Sequence, residues 1–293
     1  MYQENPPFLT IGLPFYNNEN TLQKAIRSVI LQSFKDWELI LIDDGSDDDS
    51  YNIALEIAKT DQRIKVIHDE KNRGLVFRLN QIIDVAKGQY LARMDADDMM
   101  LPEKLNIQID TLIKNSLIDV LDTASYTINE RDEPIGMRGT EVLNTKDKKK
   151  ALKSVLLFHP TVIGKTEWFR NNRYSEGFIR AEDYELWCRT FNDTFFFRIK
   201  TPLFLYREGN VNIKNYVLSM KTVRKILRQY GPGVLSKQEY IKEIIKTYLK
   251  SGLYTFFGIF NLQRYLSSRR NTKLDDAQII EVKNFISLIK NKA

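Results

Sequence analysis

The chain contains very little cysteine, and its C-terminal part has no apolar run long enough to cross a membrane. Cys188 is the one cysteine among 293 residues. An internal disulfide is therefore excluded, which fits a reducing compartment. The longest uncharged stretch of the C-terminal part, between Lys250 and Arg264, holds 13 residues, whereas a spanning helix needs about 20. Residues 1–7 lack the basic flank and apolar core of a signal peptide. We expect a cytoplasmic protein, soluble or peripheral on the inner face of the cell membrane.

Glycine-rich phosphate-binding motifs are also missing. Neither G-x-x-x-x-G-K-[ST] nor G-x-G-x-x-G occurs. A bound phosphate would therefore have to be held by a metal ion and side chains. The acidic segment Asp43–Asp49 is not an EF-hand. If the loop began at Asp43, its third residue, a ligand position, would be Gly45. If it began at Asp47, its sixth residue, which must be glycine, would be Asn52.

The net charge of +6 is unevenly distributed. Residues 211–293 contain 16 Lys and Arg against 5 Asp and Glu, whereas residues 1–210 contain 28 against 33. A basic C-terminal region on an acidic body indicates an anionic surface as a partner. No nucleic-acid recognition motif accompanies the basic charge, so nucleic acid is not the expected partner.

Two hydrophobic periodicities alternate along the first 120 residues. Period-two or fully apolar runs predict strands at 8–13, 37–42, 64–68 and 89–94. Helical spacing predicts helices at 22–31, 50–59 (capped by Ser50), 75–86 and 102–114. This alternation predicts an α/β fold with a mainly parallel sheet and helices on both faces. Further strands are expected at 195–199 and 203–206, a hairpin tip at 131–136, and helices at 217–230, 238–249 and 277–289.

Polar clusters follow three of the predicted strands. They are Pro14–Asn18, Asp43–Asp49 and Asp95–Asp98. Ligands of open α/β sheets bind beyond the carboxyl ends of the strands, so we expect the clusters to form one site. At Asp43 and Asp44 a turn and helix cap is one interpretation, and acceptance of hydrogen bonds from a nucleoside is the other.

Asp95 and Asp97 form a carboxylate pair after an apolar strand. Carboxylates at i and i+2 of an extended segment point to the same side. Their repulsion is relieved by a cation, and hard divalent ions such as Mg²⁺ or Mn²⁺ prefer oxygen ligands. The alternative is a solvated loop that caps the next helix.

Five motifs in order carry a resemblance to a known family. Over about residues 8–207 the chain resembles family 2 glycosyltransferases of the GT-A (Rossmann-like) fold, with a helical C-terminal extension. The motifs are Thr10–Asn17 with Glu19, Ile42–Ser46, Asn72–Gly74, Asp95–Asp98 and Glu182–Trp187. The resemblance implies a catalytic domain at 1–210 that binds a nucleotide sugar and a helical basic region at 211–293.

The resemblance also implies an activity, inverting sugar transfer from a nucleotide-diphosphate donor, with UDP-sugars favoured. The expected acceptor is a saccharide or lipid-linked saccharide of bacterial polysaccharide assembly (capsule, O-antigen or exopolysaccharide). The resemblance implies that Pro14, Tyr16, Glu19 and a carboxylate of Asp43 or Asp44 bind the nucleoside. Arg73 would contact the donor phosphates or the pocket wall, and Asp95 the ribose or the metal. Asp97 would ligate the metal, and Asp183 would be the general base. A His-Pro-Thr segment like that at His159 often lies near the acceptor site of the family.

The proposed base has a chemical argument of its own. Inversion needs a carboxylate on the face of the sugar opposite the leaving group, where it deprotonates the attacking hydroxyl. The alternative is that Glu182 and Asp183 only begin a helix. One departure concerns the metal: family members often have His where this chain has Gly209. The third metal contact is then left to Glu208, to water or to nothing, while Arg207 can still reach the diphosphate.

Two questions are left open by the sequence. The C-terminal aromatic residues around Leu253–Leu266 fit an anionic membrane surface, a homodimer seam or packing on the body. A sugar-1-phosphate nucleotidyltransferase and a catalytically silent scaffold protein are the alternative functions. The first would need a glycine-rich loop after the first strand, where this chain has Pro14–Asn17.

Overall fold

A nine-stranded mixed sheet forms the centre of the molecule. The structure is a computed structural model that describes residues 6–141, 143, 147–209, 212–260 and 271–291. The strands are β1 (Leu9–Phe15), β2 (Trp37–Asp43), β3 (Ile64–His68), β4 (Tyr90–Arg93), β5 (Met99–Met100), β6 (Val120–Ile128), β7 (Pro134–Arg138), β8 (Ile163–Lys165) and β9 (Phe196–Arg207).

The described helices surround this sheet and continue beyond it. They are α1 (Leu22–Ile30), α2 (Ser50–Ala58), α3 (Leu75–Val85), α4 (Lys104–Lys114), α5 (Lys148–Ala151), α6 (Thr166–Asn171), α7 (Glu182–Thr190), α8 (Ile213–Tyr230), α9 (Lys237–Ile259) and α10 (Asp276–Asn291). A short 3₁₀ turn covers His159–Thr161.

The strand order is β3-β2-β1-β4-β8-β6-β9-β5, with β7 paired to β6. β1 runs parallel to β2 and β4, and β2 runs parallel to β3. β8 is antiparallel to both β4 and β6, whereas β6 and β9 are parallel. The mainly parallel mixed sheet predicted from the sequence is confirmed.

Helices cover both faces of the first four strands, which explains why those strands are so apolar. Every residue of β1 and β2 is buried, as expected for strands enclosed between two helical layers. Helix α1 packs Leu22, Ile26 and Val29 into the core on one face. On the other face α3 approaches so closely that a Cβ at Gly12 would lie 2.4 Å from Cγ2 of Ile82. Glycine in β1 therefore sets the distance between sheet and helix.

Three predicted elements need correction. Ser50 is the first residue of α2 rather than its cap, because its Oγ accepts a hydrogen bond from the Asn18 amide at 2.7 Å. The two strands predicted at 195–199 and 203–206 are one strand, β9, whose register against β6 shifts near Ala124. Helix α9 does not end at residue 249 but continues to Ile259.

The C-terminal helices pack on the rest of the molecule and on one another. Helix α10 buries Val282, Phe285 and Ile286 against a cluster that includes residues of β5, β6 and β9. The predicted boundary after residue 210 falls on residues outside the described part, as do Leu262, Arg264, Tyr265, Leu266, Arg269 and Arg270. Among the described helices, none combines the length and apolarity needed to cross a membrane.

Candidate active site

The loops that follow β1 and β2 are joined by hydrogen bonds. The Asn17 amide donates to Ser46 Oγ at 3.1 Å, and the Asp47 amide donates to Asn17 Oδ1 at 3.0 Å. Glu19 accepts a hydrogen bond from the Asp49 amide. Pro14 is buried in β1, and Tyr16 is 44% exposed. Pro14, Tyr16 and Glu19, which were predicted around the nucleoside, thus lie next to the turn that carries Asp43 and Asp44.

Asp43 and Asp44 are both buried, and their carboxylates have different partners. Asp43 accepts hydrogen bonds from Ser46 Oγ at 2.5 Å and contacts His68 Nδ1 at 2.8 Å. This pattern is that of a turn anchored to the neighbouring strand.

Asp44 instead holds the next loop along the sheet edge. It accepts hydrogen bonds from the amides of Arg73 (2.8 Å) and Gly74 (2.9 Å) and from Nε of the fully buried Arg78 (2.6 Å). Gly74 has a φ of 84°, which favours glycine. Asp44 therefore positions the Arg73 segment.

A cavity of about 800 Å³ opens beside that segment. It brings together three predicted site residues that are distant in sequence, Arg73, Asp95 and Asp183. Pro14, Tyr16, Glu19, Asp43, Asp44, Asp97 and Arg207 are not among the residues that line it; they belong to the loops and strand ends that adjoin it. The remaining charged or polar lining residues include Arg93, His159, Glu176, Arg180, Glu182, Tyr206 and Ser219.

The turn after β4, which we call the acidic turn, carries the three carboxylates of Asp95, Asp97 and Asp98. Asp95 is paired with Arg93 through two hydrogen bonds of 2.6 and 3.1 Å. Burial and the neighbouring Asp95 raise the pKa of Asp97 to about 6. Burial, with Asp97 and Asp95, raises the pKa of Asp98 well above its usual value. Asp98 Oδ2 is buried and has no hydrogen-bond partner among the described residues. Carboxylates that raise one another's pKa in this way are stabilised by a cation, and their oxygens suit a hard divalent ion.

Arg207 binds this turn through both its side chain and its backbone amide. Its guanidinium donates to the Asp97 carbonyl at 2.9 Å, to the Asn129 carbonyl at 2.9 Å and to Asp132 at 2.7 Å. Its amide donates to Asp98 Oδ1 at 2.7 Å. The side chain is only 8% exposed, so its contacts indicate a positioning role for the turn.

Glu208, one of the three sources considered for the third metal contact, is engaged elsewhere. Its carboxylate pairs with Arg138 and accepts a hydrogen bond from Asn271 at 2.9 Å. No carboxylate of the described Tyr206–Gly209 segment is then left for a cation.

Another part of the cavity wall is formed by the first turn of α7. Glu182 and Asp183 begin this helix, as one of the two interpretations expected, and the role of Asp183 as a base stays a prediction. His159 joins them, and one ligand atom from each of the three residues lies within 4.8 Å of the others. His159 Nε2 is 2.8 Å from the Tyr174 hydroxyl.

The ionisation of this wall follows from its burial. Burial and the adjacent Asp183 raise the pKa of Glu182 to about 7, and burial raises the pKa of Asp183. Burial and the nearby Arg93 lower the pKa of His159 well below its usual value, so the imidazole is neutral. A carboxylate whose pKa is raised is a stronger base, as general base catalysis requires.

Arg93 is one of the site residues that the sequence reasoning missed, with Glu176, Arg180 and Ser219. It is 6% exposed, ends β4, lines the cavity and bonds Asp95. Its one signal in the sequence was a charged residue inside an otherwise apolar strand, Tyr90–Met94. A buried charge is expensive without a partner, so such a residue indicates a nearby carboxylate.

Comparisons with solved structures identify the fold. The fold is GT-A. TarS of Staphylococcus aureus superimposes with a TM-score of 0.62 at 18% identity, over 83% of this chain and 72% of that one. A mannosyltransferase of Pyrobaculum calidifontis, solved with GDP-Man and Mn²⁺, superimposes with a TM-score of 0.58 at 14% identity, over 97% and 81%.

Sequence relatives define the family. The model of glycosyl transferase family 2 matches residues 10–175, and the chain belongs to this family. EpsE of Bacillus subtilis, named as a glycosyltransferase, is 32% identical over 210 residues, which are 70% of this chain and 74% of EpsE. The glucosyltransferase WfgD of Escherichia coli is 30% identical over 185 residues, which are 63% and 70%. The chain is a glycosyltransferase, and the predicted family and fold are confirmed.

Proposed function

We propose that this enzyme transfers a sugar, with inversion, from a UDP-sugar to a hydroxyl of a lipid-linked saccharide during bacterial polysaccharide assembly. One observation carries the proposal: Asp95 and Asp183, 88 positions apart in the sequence, line one cavity with Arg73 and Arg93. Acidic and basic groups converging in one concave site are what diphosphate binding and acid–base chemistry require.

In the proposed reaction the acceptor oxygen bonds to the anomeric carbon as the bond from that carbon to the diphosphate oxygen breaks. The hydroxyl proton passes to the Asp183 carboxylate, and the nucleoside diphosphate leaves with the electron pair. Glu182 and neutral His159 keep the surroundings of Asp183 weakly solvated, which maintains its basicity. Arg207 fixes the backbone of the turn that presents Asp97.

We assign binding of the donor diphosphate to the acidic turn after β4 and to Arg73. Asp97, with Asp95, would hold a divalent cation, Mn²⁺ or Mg²⁺, which neutralises charge on the departing diphosphate. Arg73 pairs with Asp69 at 3.0 Å through Nε and is 47% exposed at the cavity, so we assign its remaining N–H donors to a phosphate. Because Arg93 already pairs with Asp95, Asp97 is the better candidate for direct ligation, and Asp95 for contact with the ribose.

The choice of donor and acceptor rests on relatives and on the cavity mouth. TarS has been solved with UDP and with UDP-GlcNAc, and WfgD is named for transfer from UDP-Glc to a sugar on diphosphoundecaprenol. Three exposed apolar residues stand among the lining of the cavity, Leu75, Val155 and Ile179. Such a rim suits an acceptor with a lipid carrier, and we place the reaction at the inner face of the cell membrane.

Two measurements test the proposal. Titration calorimetry should detect binding of UDP with an affinity that Mn²⁺ increases. The Asp97→Asn substitution and a chelator should each remove this increase. Failure of UDP and every other common nucleoside diphosphate to bind, with or without metal, would contradict it.

The base is tested by Asp183→Asn. We expect transfer to fall by about 10²–10⁴-fold, since a positioned base contributes that much, while UDP affinity is retained. The matched control is Asp193→Asn, which alters an exposed aspartate just beyond α7 and should leave the rate unchanged. Near wild-type turnover in Asp183→Asn would refute the assignment.

A further inference from the structure

Helix α9 has two faces of opposite character. One packs on α8, where the rings of Tyr254 and Tyr216 stack with centroids 3.7 Å apart and Thr247 is buried. The other is apolar and exposed. We call it the α9 stripe, and it consists of Ile241 (45% exposed), Ile245 (51%), Tyr248 (54%), Leu249 (68%), Leu253 (46%), Phe256 (57%), Ile259 (71%) and Phe260 (58%).

The spacing of the α9 stripe makes it continuous. Its members follow one another at intervals of three, four or one residue, which places them along one side of a helix. An apolar surface of this length, on a helix whose opposite side is already packed, marks an interaction site.

Positive charge accompanies the stripe. Lys242, Lys246 and Lys250 recur at four-residue spacing and are all exposed, so they form a row along its flank. From residue 244 to residue 274 the sequence contains no acidic residue but six basic ones, Lys246, Lys250, Arg264, Arg269, Arg270 and Lys273.

Of the two acidic residues of α9, only Glu243 pairs with a lysine of this row. Glu239 pairs with Lys149 and Lys153 of the body at 3.1 and 2.9 Å. Glu243 is 8% exposed and pairs with Lys246 at 3.2 Å. Within the described residues of α9, the exposed charged side chains along this flank of the stripe are therefore lysines.

We propose that α9 docks the enzyme on an anionic phospholipid bilayer and lies in the plane of the interface. Apolar side chains of such a helix enter the boundary between headgroups and acyl chains, and lysines bind the lipid phosphates. A second copy of this chain fits less well, because a symmetric contact through α9 would bring two lysine rows into the same interface.

The position of α9 connects this surface to the active site. Helix α8, on which α9 packs, contributes Ser219 to the cavity lining. Thr222 of α8 also donates a hydrogen bond to the Ile179 carbonyl at 2.8 Å, and Ile179 belongs to the apolar rim. In one respect the inference rests on the proposed function: docking presents the cavity to a lipid-linked acceptor. Bilayer binding itself needs no sugar transfer.

The test is co-sedimentation of the full-length protein with vesicles. We expect binding to vesicles of phosphatidylglycerol and phosphatidylethanolamine, weak binding to phosphatidylcholine vesicles, and loss of binding at high salt. Leu249→Glu with Phe256→Glu should reduce the partition coefficient at least tenfold. Replacing the three lysines of the row by glutamine should reduce it about fivefold per lysine. The control is Leu117→Glu, which changes an apolar residue that is 70% exposed between α4 and β6.

Three outcomes would overturn the proposal: equal binding to both vesicle types, unchanged binding of the Leu249→Glu, Phe256→Glu variant, or a wild-type dimer that this variant converts to monomer in sedimentation velocity. Hydrolysis of UDP-sugar in solution, measured without vesicles, should be unchanged in every α9 variant. That assay reports on the proposed function separately, so a failure of docking and a failure of the enzyme assignment are distinguished.

Discussion

Asp132, at the tip of the β6–β7 hairpin, gathers three cationic side chains around one buried carboxylate. Its oxygens accept hydrogen bonds from Lys24 of α1 (2.8 Å), Lys290 of α10 (3.0 Å) and Arg207 of β9 (2.7 Å). The Asp132 side chain is 5% exposed. Because Arg207 also holds the Asp97 carbonyl, this cluster joins the C-terminal helix to the acidic turn of the active site.

The substitution Asp132→Asn tests the contribution of this carboxylate. Asp132 has a φ of 64°, a conformation that asparagine adopts readily, so the substitution removes the charge with little backbone effect. Burial opposes ionisation of Asp132, but hydrogen bonds from Lys24, Arg207 and Lys290 outweigh it and lower its pKa to about 2.

The magnitude follows from this pKa. A depressed pKa contributes stability that is present above the unfolded value near 4 and is lost as the pH falls through about 2. The difference corresponds to roughly 2–3 kcal/mol. Removing one partner of a buried ion pair typically costs about 3–5 kcal/mol. We therefore expect Asp132→Asn to lower the free energy of unfolding by about 2–4 kcal/mol at pH 7, and to weaken Mn²⁺-dependent UDP binding through Arg207.

Urea unfolding followed by tryptophan fluorescence measures the first effect, and calorimetry measures the second. Glu56→Gln serves as the control, since Glu56 and its partner Lys59 are 70% and 68% exposed, and such pairs contribute under about 1 kcal/mol. A stability of Asp132→Asn indistinguishable from that control would refute the reasoning. Unchanged UDP affinity alongside a large loss of stability would refute the link to the acidic turn.

Two further predictions concern the catalytic wall and the core. A carboxyl with a raised pKa opposes folding once the pH exceeds its unfolded value, so stability falls between about pH 4.5 and 7 as Glu182 ionises. Glu182→Gln should raise the free energy of unfolding by roughly 2–3 kcal/mol at pH 8 and leave it unchanged near pH 4. Urea unfolding at both pH values measures this difference. An equal effect at both pH values would show that ionisation of Glu182 is not the cause. Gly12→Ala should destabilise by about 1–3 kcal/mol through its clash with Ile82. Gly252→Ala, with no atom within 4 Å of the added Cβ, should be neutral or slightly stabilising in the same measurement.

Local patterns were sufficient where one interaction dominates. The first four strands are predictable because enclosure between two helical layers makes them uniformly apolar, and the helices between them because each buries one stripe. The strand break predicted between residues 199 and 203 was wrong, since β9 continues past Pro202 by shifting its register against β6. Residues 250–259 were not assigned to α9. Leu253, Phe256 and Ile259 are exposed although Tyr254 is buried, so apolar residues on two sides of the helix gave no clear boundary.

Part of the cavity lining was predictable from the sequence, but its contacts were not. Asp95 was selected from its place after an apolar strand, and Asp183 from the resemblance of the Glu182–Trp187 segment to the family. Arg93, the partner of Asp95, could not be assigned a role, because a basic residue in a strand does not identify the carboxylate it will meet. The contacts of Arg207 with Asp97 and Asp132 likewise join residues 110 and 75 positions apart.

The sequence by itself determined the α/β alternation, the clustering of acidic residues at the carboxyl ends of parallel strands, and the family, because these depend on local periodicity and on motifs read in order. Tertiary structure alone decided that Asp95 and Asp183 border one cavity, that Asp44 and Arg207 orient neighbouring loops, and that the α9 stripe is exposed in the described part of the chain. The physical reason is that burial and ion pairing depend on distances between residues far apart in the chain, and these distances are fixed only when the sheet and its helices have packed.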